Sequence, residues 1–418
     1  MRPVVMMKRL ETVVIGAGQF GLAMSACLAD AGREHIVLER GQVAQAWREL
    51  WDSLTLLSPN WFTRLPHYAY SGNDPNGFMG RDEIVRFFAD YASMLKAPVE
   101  CGFQVASVDP AEGSNRIIVR GANGTTFDAD NVVVAIGGYH RPKVPPVIEQ
   151  LPRTVFHVHS LHYRNPKQLP AGAVLVVGAG ASGQQIAEEL LRSGRTVYIS
   201  VGAHNKLPRR YRGHDTIWWM EQLGTFDATV GSLPSLELAM RRPSVSLTGV
   251  GGGHDLDLSE FERDGMILLG HIADAEDSQL RFVPDLEASL ADGEKVYTSF
   301  VESVDRYIEK NGLRCDPSDA RPQGKRRARK NVTTLDLALA GISSIVWATG
   351  FRRDFDWIRS PSIAPGCDPV HVRGVSTQPG LFFLGLRWLH TRRSNFIDGA
   401  GADAAYVRDQ IIRRAGRD

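Results

Sequence analysis

The chain has 418 residues, of which 43% are hydrophobic and 23% charged, and its formal net charge is +1. This length predicts two or three domains, and a charge so close to zero gives no electrostatic reason to expect a nucleic-acid partner. The four cysteines lie far apart and form no C-x-x-C motif, so neither a zinc knuckle nor a local redox disulfide is indicated, and no metal site is predicted.

Hydropathy gives no sign of a membrane segment. No uninterrupted apolar run reaches the roughly 18 residues of a spanning helix. The residues before the first strand are too few and too polar for a signal peptide. The sequence therefore predicts no membrane partner and a cytoplasmic location. The most apolar run, residues 337–351, contains Gly and Ser and is typical of a turn followed by a buried strand.

A strand, a glycine-rich turn and a helix open the chain over residues 12–28, and a second strand follows. The turn GAGQFG supplies Gly16, Gly18 and Gly21 in G-x-G-x-x-G spacing. The first glycine allows a tight turn, the second lets the backbone approach a pyrophosphate, and the third lets the helix pack on the strand. Glu39 closes the second strand, where a carboxylate can accept hydrogen bonds from both ribose hydroxyls. These features predict a dinucleotide site, and Gln19 and Phe20 belong to the same turn.

Residues 41–144 are predicted to contain loops, one helix and several strands. SPNW, LPHY and SGNDPNGF mark turns before residue 80. A helix is predicted from about Asp82, with Asp82 as its N-cap and its apolar side chains on one face. Residues 103–136 have the pattern of strands. The proline-rich segment YHRPKVPPV should be extended and is a candidate domain boundary.

Residues 173–200 repeat the pattern of strand, glycine-rich turn, helix and strand. The turn GAGASG predicts a second nucleotide site formed by Gly178, Gly180, Ala181, Ser182 and Gly183. The position that matches the ribose acid falls at Ser200, Val201 or Gly202, none of which is a carboxylate, and Arg209 and Arg210 lie downstream. A carboxylate would repel a 2′-phosphate, so its absence beside cations favours NADPH over NADH. Surface charge is the alternative explanation of the arginines, and NADH stays open as a cofactor.

The rest of the chain is mixed in character. An acidic helical segment covers residues 284–308, and the polar stretch 311–334 includes KRRARK, which is predicted to be a solvated loop rather than a nucleic-acid patch. From residue 343 the sequence is apolar again, and a final helix is predicted from about Ala402. No internal repeat is evident beyond the two glycine-rich units.

Two nucleotide sites in one chain indicate a hydride transfer from nicotinamide to flavin, with one nucleotide resident and the other visiting. FAD in the first site and NADPH in the second fit the contrast between Glu39 and the missing second acid.

The motifs GAGQFG, GAGASG and WATGF, in this order, resemble the class B flavin-dependent monooxygenases over nearly the whole chain. The stretches DPNGFMGRDEIV, ISVGAHNKLPRRYRG and LGLRWLHTRRS are similar to bacterial FAD-dependent oxidoreductases labelled as flavoproteins of potassium transport. The resemblance implies an α/β fold with two Rossmann-like domains, the NADPH domain inserted into the FAD domain. We expect the FAD domain at 1–144 and 343–418 and the NADPH domain at 145–342.

The family fingerprint F-x-G-x-x-x-H-x-x-x-(Y/W) is matched in part. His159 and Tyr163 keep the spacing, whereas Arg153 and Val155 replace the Phe and the Gly. The resemblance implies that this loop, with Ser160, lies between the domains and contacts NADP. Tyr in the last position favours N- or S-oxidation or hydroxylation over Baeyer–Villiger chemistry. An aromatic turn that only packs the interface is the alternative.

Further site residues follow from the resemblance alone. Asn60 is the candidate for steadying an oxygenated flavin. The remaining FAD or hinge contacts would be Arg40, Trp47, Arg48, Trp51, Leu54, Val105, Ala135, Gly137, Ala348, Thr349, Gly350 and Asn395. The segment RWLHTRRS holds Arg387, His390, Arg392 and Arg393, which either recognise an anionic substrate or bind FAD.

The implied activity is a monooxygenase in which NADPH reduces FAD, O₂ forms a C4a-hydroperoxyflavin, and one oxygen atom passes to a small organic substrate. Two alternatives stay open: an NAD(P)H oxidase without an organic substrate, and a redox-sensing regulatory flavoprotein linked to ion transport. A disulfide reductase is disfavoured because no cysteines are closely spaced. No pattern sets the oligomeric state, and a homodimer is one option.

Overall fold

The structure is a computed structural model that describes residues 7–316, 329 and 331–416. Its strands, in chain order, are β1 (Met7–Ile15), β2 (His35–Glu39), β3 (Arg64–Leu65), β4 (Tyr68–Ala69), β5 (Val99–Cys101), β6 (Val105–Pro110), β7 (Ile117–Gly121), β8 (Thr126–Val134), β9 (Arg141–Pro142), β10 (Phe156–His159), β11 (Ala173–Val177), β12 (Val197–Ser200), β13 (Arg210–Tyr211), β14 (His214–Asp215), β15 (Ile267–Leu269), β16 (Ile272–Glu276), β17 (Gln279–Phe282), β18 (Thr334–Asp336), β19 (Ile342–Trp347), β20 (Phe351–Arg352), β21 (His371–Val372), β22 (Val375–Ser376) and β23 (Leu381–Phe383). Its α-helices are α1 (Gln19–Asp30), α2 (Gln45–Arg48), α3 (Arg81–Leu95), α4 (Ala181–Arg192), α5 (Thr216–Gln222), α6 (Leu236–Arg241), α7 (Leu258–Arg263), α8 (Leu286–Asn311) and α9 (Ala400–Ala415).

The first sheet has nine strands around a parallel centre in the order β5–β2–β1–β8–β23. β6 and β7 extend it as an antiparallel hairpin on β8, and β21 and β22 form the far edge. The central strands end in continuous apolar runs because both faces of a parallel sheet are covered. Val13, Val14 and Val132 are fully buried there, together with side chains of α1, α3 and α9.

The second sheet has five strands, all parallel, in the order β10–β19–β11–β12–β15. β19 lies between β10 and β11, although it follows them in sequence by more than 150 residues. The second sheet therefore extends to Trp347, past the domain boundary that we expected between residues 342 and 343. The predicted fold class, with one α/β unit inserted into another, is confirmed.

Two connections join the sheets, and they pair with each other. β9 follows β8 of the first sheet, and β20 follows β19 of the second sheet. β9 and β20 form a two-stranded antiparallel ribbon. The expected extended connector at residues 139–147 thus forms half of a double hinge.

Other expected elements are found with small changes. The acidic segment forms α8, and the apolar run forms β19. α3 begins at Arg81, and its N-cap is Gly80 rather than Asp82. Most of the KRRARK run lies outside the described residues; Arg329, which is described, forms ion pairs with Glu262 and Glu287. Within the described residues, no helix combines the length and the apolar character needed to cross a bilayer.

Candidate functional site

The first glycine-rich turn joins β1 to α1, and its three glycines have different reasons to be there. Gly16 has φ +104°, and a Cβ on it would lie 2.9 Å from the carbonyl oxygen of Ala135. A Cβ on Gly21 would lie 1.7 Å from the carbonyl oxygen of Gly16. A Cβ on Gly18 would meet nothing within 4 Å, and the φ of Gly18 is −88°. The fold itself therefore demands Gly16 and Gly21, whereas Gly18 leaves open space beside the start of α1.

The second turn, between β11 and α4, repeats this arrangement. Gly178 has φ +109°, and its Cβ would lie 2.5 Å from the carbonyl oxygen of Ala348. A Cβ on Gly183 would lie 1.9 Å from the carbonyl oxygen of Gly178, whereas one on Gly180 would meet nothing within 4 Å. Gly18 and Gly180 are the N-caps of α1 and α4, so no side chain caps the first backbone N–H groups of either helix. Uncapped N–H groups facing open space form a ready site for a phosphate.

The hinge strands support both turns in the same way. Ala135 N donates to Ile15 O at 2.9 Å, and Ala348 N donates to Val177 O at 2.9 Å. The chain then bends at two glycines with positive φ, Gly137 and Gly350. Thr349 Oγ1 donates to the carbonyl oxygen of Lys143, which ties the second hinge to the first. The residues expected at the hinges therefore do lie beside the glycine-rich turns.

Glu39 lies at the end of β2 and is 7% exposed. One carboxylate oxygen accepts a hydrogen bond from Ala17 N at 2.8 Å, and the other accepts one from Gly41 N at 3.1 Å. These bonds hold the carboxylate beside the first turn, at the edge of a parallel sheet where nucleotide riboses bind.

The strand register identifies which of Ser200, Val201 and Gly202 matches the ribose acid. Gly16 N donates to Leu38 O, and Gly178 N donates to Ser200 O. Ser200 is thus the counterpart of Leu38, and Val201 is the counterpart of Glu39. Ser200 is buried, and its hydroxyl donates to Gly270 O at 2.8 Å, so it does not face a ribose. The expected absence of an acid at this position is still observed, because Val201 occupies it.

Arg209 was expected near a 2′-phosphate, and the structure places it in the interior. Its side chain is 1% exposed and forms an ion pair with Asp215. One guanidinium nitrogen donates to Leu57 O at 2.7 Å, and the guanidinium lies over the Phe78 ring, 4.8 Å from the ring centroid. Arg209 therefore joins the inserted unit to the loop before α3. A run of basic residues in the sequence cannot distinguish such a buried arginine from a surface one.

Arg210 points the other way and is exposed. Its guanidinium donates to the carbonyl oxygens of Gly252 and Gly253 at 2.8 and 3.1 Å. It holds the glycine-rich loop at residues 249–254. Neither arginine thus has the free guanidinium that we expected beside the second turn.

A histidine that the sequence did not single out lies at the end of the neighbouring strand. β15 pairs with β12, and His271 follows its last residues. A Cβ on Gly202 would lie 2.6 Å from His271 Nε2, so the imidazole covers the backbone just after Val201. Its other ring nitrogen bonds Asp285 at 2.5 Å. The pairing of β12 with β15, which joins distant parts of the chain, is what brings His271 to this edge.

The loop after Glu39 contains five residues that we expected to contact FAD. Arg40, Trp47 and Arg48 bond within the first unit, whereas Trp51 and Leu54 pack on the second. Trp47 Nε1 donates to Gln19 Oε1 at 3.0 Å, so it lies against the first turn. Arg40 forms an ion pair with Glu49, and Arg48 donates to a backbone carbonyl in its own loop at 3.1 Å.

Trp51 and Leu54 differ from the rest of that loop. Both pack in the core of the second unit with Val158 and Tyr163. They also line a cavity of about 110 Å³, together with Gln185, Glu188, Glu189 and Arg192 of α4. The structure thus places them between the units rather than in the core of the first sheet.

Asn60 lies in a short 3₁₀ helix and is 4% exposed. Its Nδ2 donates to Asp74 O at 2.9 Å, and its Oδ1 accepts from Met79 N at 2.8 Å. Both ends of the amide therefore hold the loop at residues 74–79. The structure gives Asn60 a structural task, and a role toward flavin stays a prediction.

His159 links the fingerprint loop to the second hinge. Its Nδ1 accepts a hydrogen bond from Leu161 N at 3.1 Å, so Nε2 carries the proton and donates to Gly350 O at 2.9 Å. Burial lowers the pKa of this histidine, which favours the neutral ring. Ser160 N donates to Trp347 O at 2.9 Å. The loop is thus anchored to the strand that ends at the hinge.

Tyr163 is fully buried, and its hydroxyl donates to Glu189 Oε2 at 2.7 Å. Burial, and then the Glu189 carboxylate, raise its pKa. Burial and this bond fit the packing explanation of the fingerprint, and a contact of the loop with NADP stays a prediction.

The remaining expected residues have simple positions. The ring of Phe20 packs against the backbone of Gly385, and a Cβ on Gly385 would lie 2.2 Å from that ring. Val105 begins the hairpin strand opposite Gly121. Asn395 ends a 3₁₀ helix ahead of α9. Ala181 and Ser182 form the half-exposed first turn of α4.

Comparison with known proteins gives consistent results. Residues 13–214 match the family described as pyridine nucleotide-disulphide oxidoreductase. An oxidoreductase described as CzcO-like from Geobacillus kaustophilus is 32% identical over 406 residues, which are 96% of this chain and 98% of that protein. Among solved structures, a flavin-containing monooxygenase from Stenotrophomonas maltophilia has a TM-score of 0.65 at 19% identity and covers 98% of this chain and 99% of its own. The ornithine N-hydroxylase of Kutzneria, solved with reduced FAD, NADP⁺ and ornithine, has a TM-score of 0.63 at 15% identity, covering 97% and 100%.

Proposed function

We propose a function from one premise: the chain belongs to the CzcO-like oxidoreductases, a family of the class B flavin monooxygenase type. The protein is an NADPH- and O₂-dependent monooxygenase that holds FAD as its resident cofactor and oxygenates a small organic substrate. N- or S-oxidation or hydroxylation fits Tyr163 better than Baeyer–Villiger chemistry.

One observation carries the proposal: the chain contains two uncapped glycine-rich turns, each with open space at its middle glycine. Gly18 and Gly180 are half-buried, and each lies at the N-terminus of a helix. A Cβ on either residue would meet nothing within 4 Å. The space beside each helix N-terminus is therefore suited to a pyrophosphate, which the N–H groups would bind.

The two sites differ in the residue that would meet the adenosine ribose. Glu39 offers carboxylate oxygens to two free hydroxyls, which suits FAD in the first unit. Val201 offers no charge, which tolerates the 2′-phosphate of NADPH in the second unit, and NADH remains a weaker option. We therefore propose that residues 7–144 and the segment after the second hinge form the FAD domain, with the NADPH domain between them.

Bound FAD would supply the redox chemistry, accepting electrons from NADPH and delivering them to O₂. The chain's own residues position the two cofactors. His159 fixes the second hinge through Gly350 O, and Trp47 fixes the first turn through Gln19. Trp51 and Leu54, which pack on the core of the second unit, would limit the access of water between the units.

The test is rapid mixing. The purified flavoprotein is reduced anaerobically with NADPH and mixed with oxygenated buffer while the flavin absorption is followed. We expect an absorption band, distinct from those of oxidised and reduced flavin, that persists before the oxidised spectrum returns. Immediate return of the oxidised spectrum with one peroxide released per NADPH, whatever organic substrate is added, would identify an oxidase instead. Failure of NADPH to reduce the flavin would favour a regulatory flavoprotein.

A further inference from the structure

His271 lies at the edge of the second sheet where a bound dinucleotide would present its adenosine ribose. Val201 N donates to Leu269 O at 2.8 Å, so the ends of β12 and β15 are held side by side. His271 follows the end of β15 by two residues, and a Cβ on Gly202 would lie 2.6 Å from its Nε2. The imidazole therefore lies against the backbone directly after Val201, the residue that takes the place of the ribose acid.

The ring of His271 is held in one orientation. Its Nδ1 donates to Asp285 Oδ2 at 2.5 Å, and its backbone N donates to Asp285 Oδ1 at 3.1 Å. Its backbone carbonyl accepts a hydrogen bond from Val283 N at 2.8 Å. Nδ1 and Nε2 lie on different edges of the ring, so the Asp285 carboxylate does not occupy the Nε2 edge, which faces Gly202.

The Nε2 edge is available to a ligand. The side chain of His271 is 51% exposed, and within the described ranges its Nε2 has no hydrogen-bond partner. A protonated imidazole donates from both nitrogens and carries a positive charge, which suits a phosphate oxygen. Because Nδ1 already donates to Asp285, Nε2 is the atom that would meet such a ligand.

The basic side chains that follow β12 are engaged with other groups of the protein. Lys206 and Arg212 form ion pairs with carboxylates. His204 is buried, and its Nδ1 donates to a backbone carbonyl at 3.0 Å. Arg209 is buried in an ion pair, and Arg210 donates to two carbonyl oxygens. These contacts leave the Nε2 edge as the best placed group for a phosphate.

We propose that Nε2 of His271 binds the 2′-phosphate of NADPH and thereby sets the preference of the second site for NADPH over NADH. This inference rests on the proposed function, since it concerns the cofactor of the same site. In a dinucleotide-binding unit the ribose 2′-oxygen meets the residue at the end of the second strand, and a nearby cation accommodates a 2′-phosphate. Here that residue is Val201, and the cation comes from the end of the neighbouring strand rather than from the arginines downstream.

The experiment measures binding to the oxidised flavoprotein without turnover. NADP⁺ and NAD⁺, which differ only in the 2′-phosphate, are titrated by calorimetry. Wild-type protein should bind NADP⁺ about tenfold or more tightly than NAD⁺, which is the effect of one hydrogen bond between charged groups. Equal affinity for the two nucleotides would overturn the proposal without any variant.

Variants then locate the preference. His271→Ala should remove it by weakening NADP⁺ binding, while an unchanged Kd for NAD⁺ shows that the variant is folded. His271→Arg should keep a preference, because the positive charge returns. Arg210→Gln is the matched control: it removes a cation that the sequence indicated, and the wild-type preference should remain. A preference that survives His271→Ala, or one that is lost in Arg210→Gln instead, contradicts the proposal.

A further variant moves the imidazole without removing it. The Cβ of Gly202→Ala would collide with Nε2 of His271, so the ring must shift and the preference for NADP⁺ should fall. In the double variant with His271→Ala the collision is gone, so both affinities should equal those of His271→Ala alone. An unchanged preference in Gly202→Ala would contradict the contact on which the proposal depends.

The two proposals fail separately. If the wild-type flavin is not reduced by NADPH, or reoxidises at once with peroxide, the monooxygenase assignment fails whatever the titrations show. If the rapid-mixing experiment succeeds and NADP⁺ is not preferred, or the preference does not depend on His271, only the assignment of the 2′-phosphate is wrong.

Discussion

Replacing Gly18 by alanine tests the reasoning about the open space most directly. The new methyl group meets no protein atom within 4 Å, and the residue already has an ordinary negative φ. The apoprotein should therefore fold as before. The methyl group would instead occupy the space through which a pyrophosphate approaches the N–H groups at the start of α1.

The expected change in stability follows from two opposing free-energy contributions, and the expected change in FAD affinity follows from a third, larger one. Alanine is a poorer N-cap than glycine by about 1 kcal/mol, but it gains about 0.4–1 kcal/mol by restricting the unfolded chain. The free energy of unfolding of the apoprotein should thus change by about 0.5 kcal/mol or less. Loss of one hydrogen bond to a charged phosphate costs about 1.5–3 kcal/mol, which raises the Kd for FAD about 10- to 100-fold.

The assay is fluorescence titration of apoprotein with FAD, alongside urea unfolding of the apoprotein. Gly180→Ala is the matched control: it should keep FAD and lose NADPH affinity to a similar extent. Gly21→Ala gives the contrast, because its methyl group would collide with Gly16 O and should destabilise the apoprotein itself. An unchanged Kd for FAD in Gly18→Ala would refute the assignment of the first turn.

Three further predictions concern the interior. Arg209→Ala removes one partner of a buried ion pair and leaves Asp215 without its arginine. Urea unfolding should therefore show that the free energy of unfolding falls by about 3–5 kcal/mol. Arg210 is exposed, so Arg210→Ala should lower it by about 1 kcal/mol or less, and equal effects would contradict the burial of Arg209. Because the pKa of His159 is lowered in the fold, the unfolded chain binds more protons as pH falls below about 6.5, and stability falls with it. His159→Gln should show a shallower fall in Tm between neutral pH and pH 5 than wild type, and an identical slope would exclude this contribution. Tyr163→Phe should lower stability by about 1–2 kcal/mol with no change in NADPH affinity; a selective loss of NADPH affinity would restore a binding role for the hydroxyl.

The sequence predicted the two glycine-rich turns because their spacing encodes a local structure. Gly16 and Gly21 are required by contacts within the turn or with the adjacent hinge, and such needs produce a recognisable motif. Glu39 was predictable because it ends the strand that directly follows the helix. The hinges could be placed as well, since each directly follows a buried strand.

Residues whose surroundings come from distant parts of the chain could not be placed. Arg209 is buried by the loop before α3 and by Phe78, and its sequence neighbours give no sign of this. Asn60 bonds to the loop at residues 74–79, a contact that its sequence neighbours do not indicate. The sequence left three candidates, Ser200, Val201 and Gly202, for the counterpart of Glu39, and only the pairing of β11 with β12 identifies Val201.

The late position of β19 constrains how the chain can be made and divided. β19 is an inner strand of the second sheet, and β23 completes the parallel centre of the first. A chain emerging from the ribosome therefore carries β10 and β11 with unpaired inner edges until Ile342 and the residues after it have been synthesised. Exposed strand edges favour pairing with other chains, and long-range pairing of this kind increases the risk of aggregation during folding. A continuous fragment that ends before β19 lacks strands of both sheets, and a fragment that holds the complete second sheet must extend through Trp347.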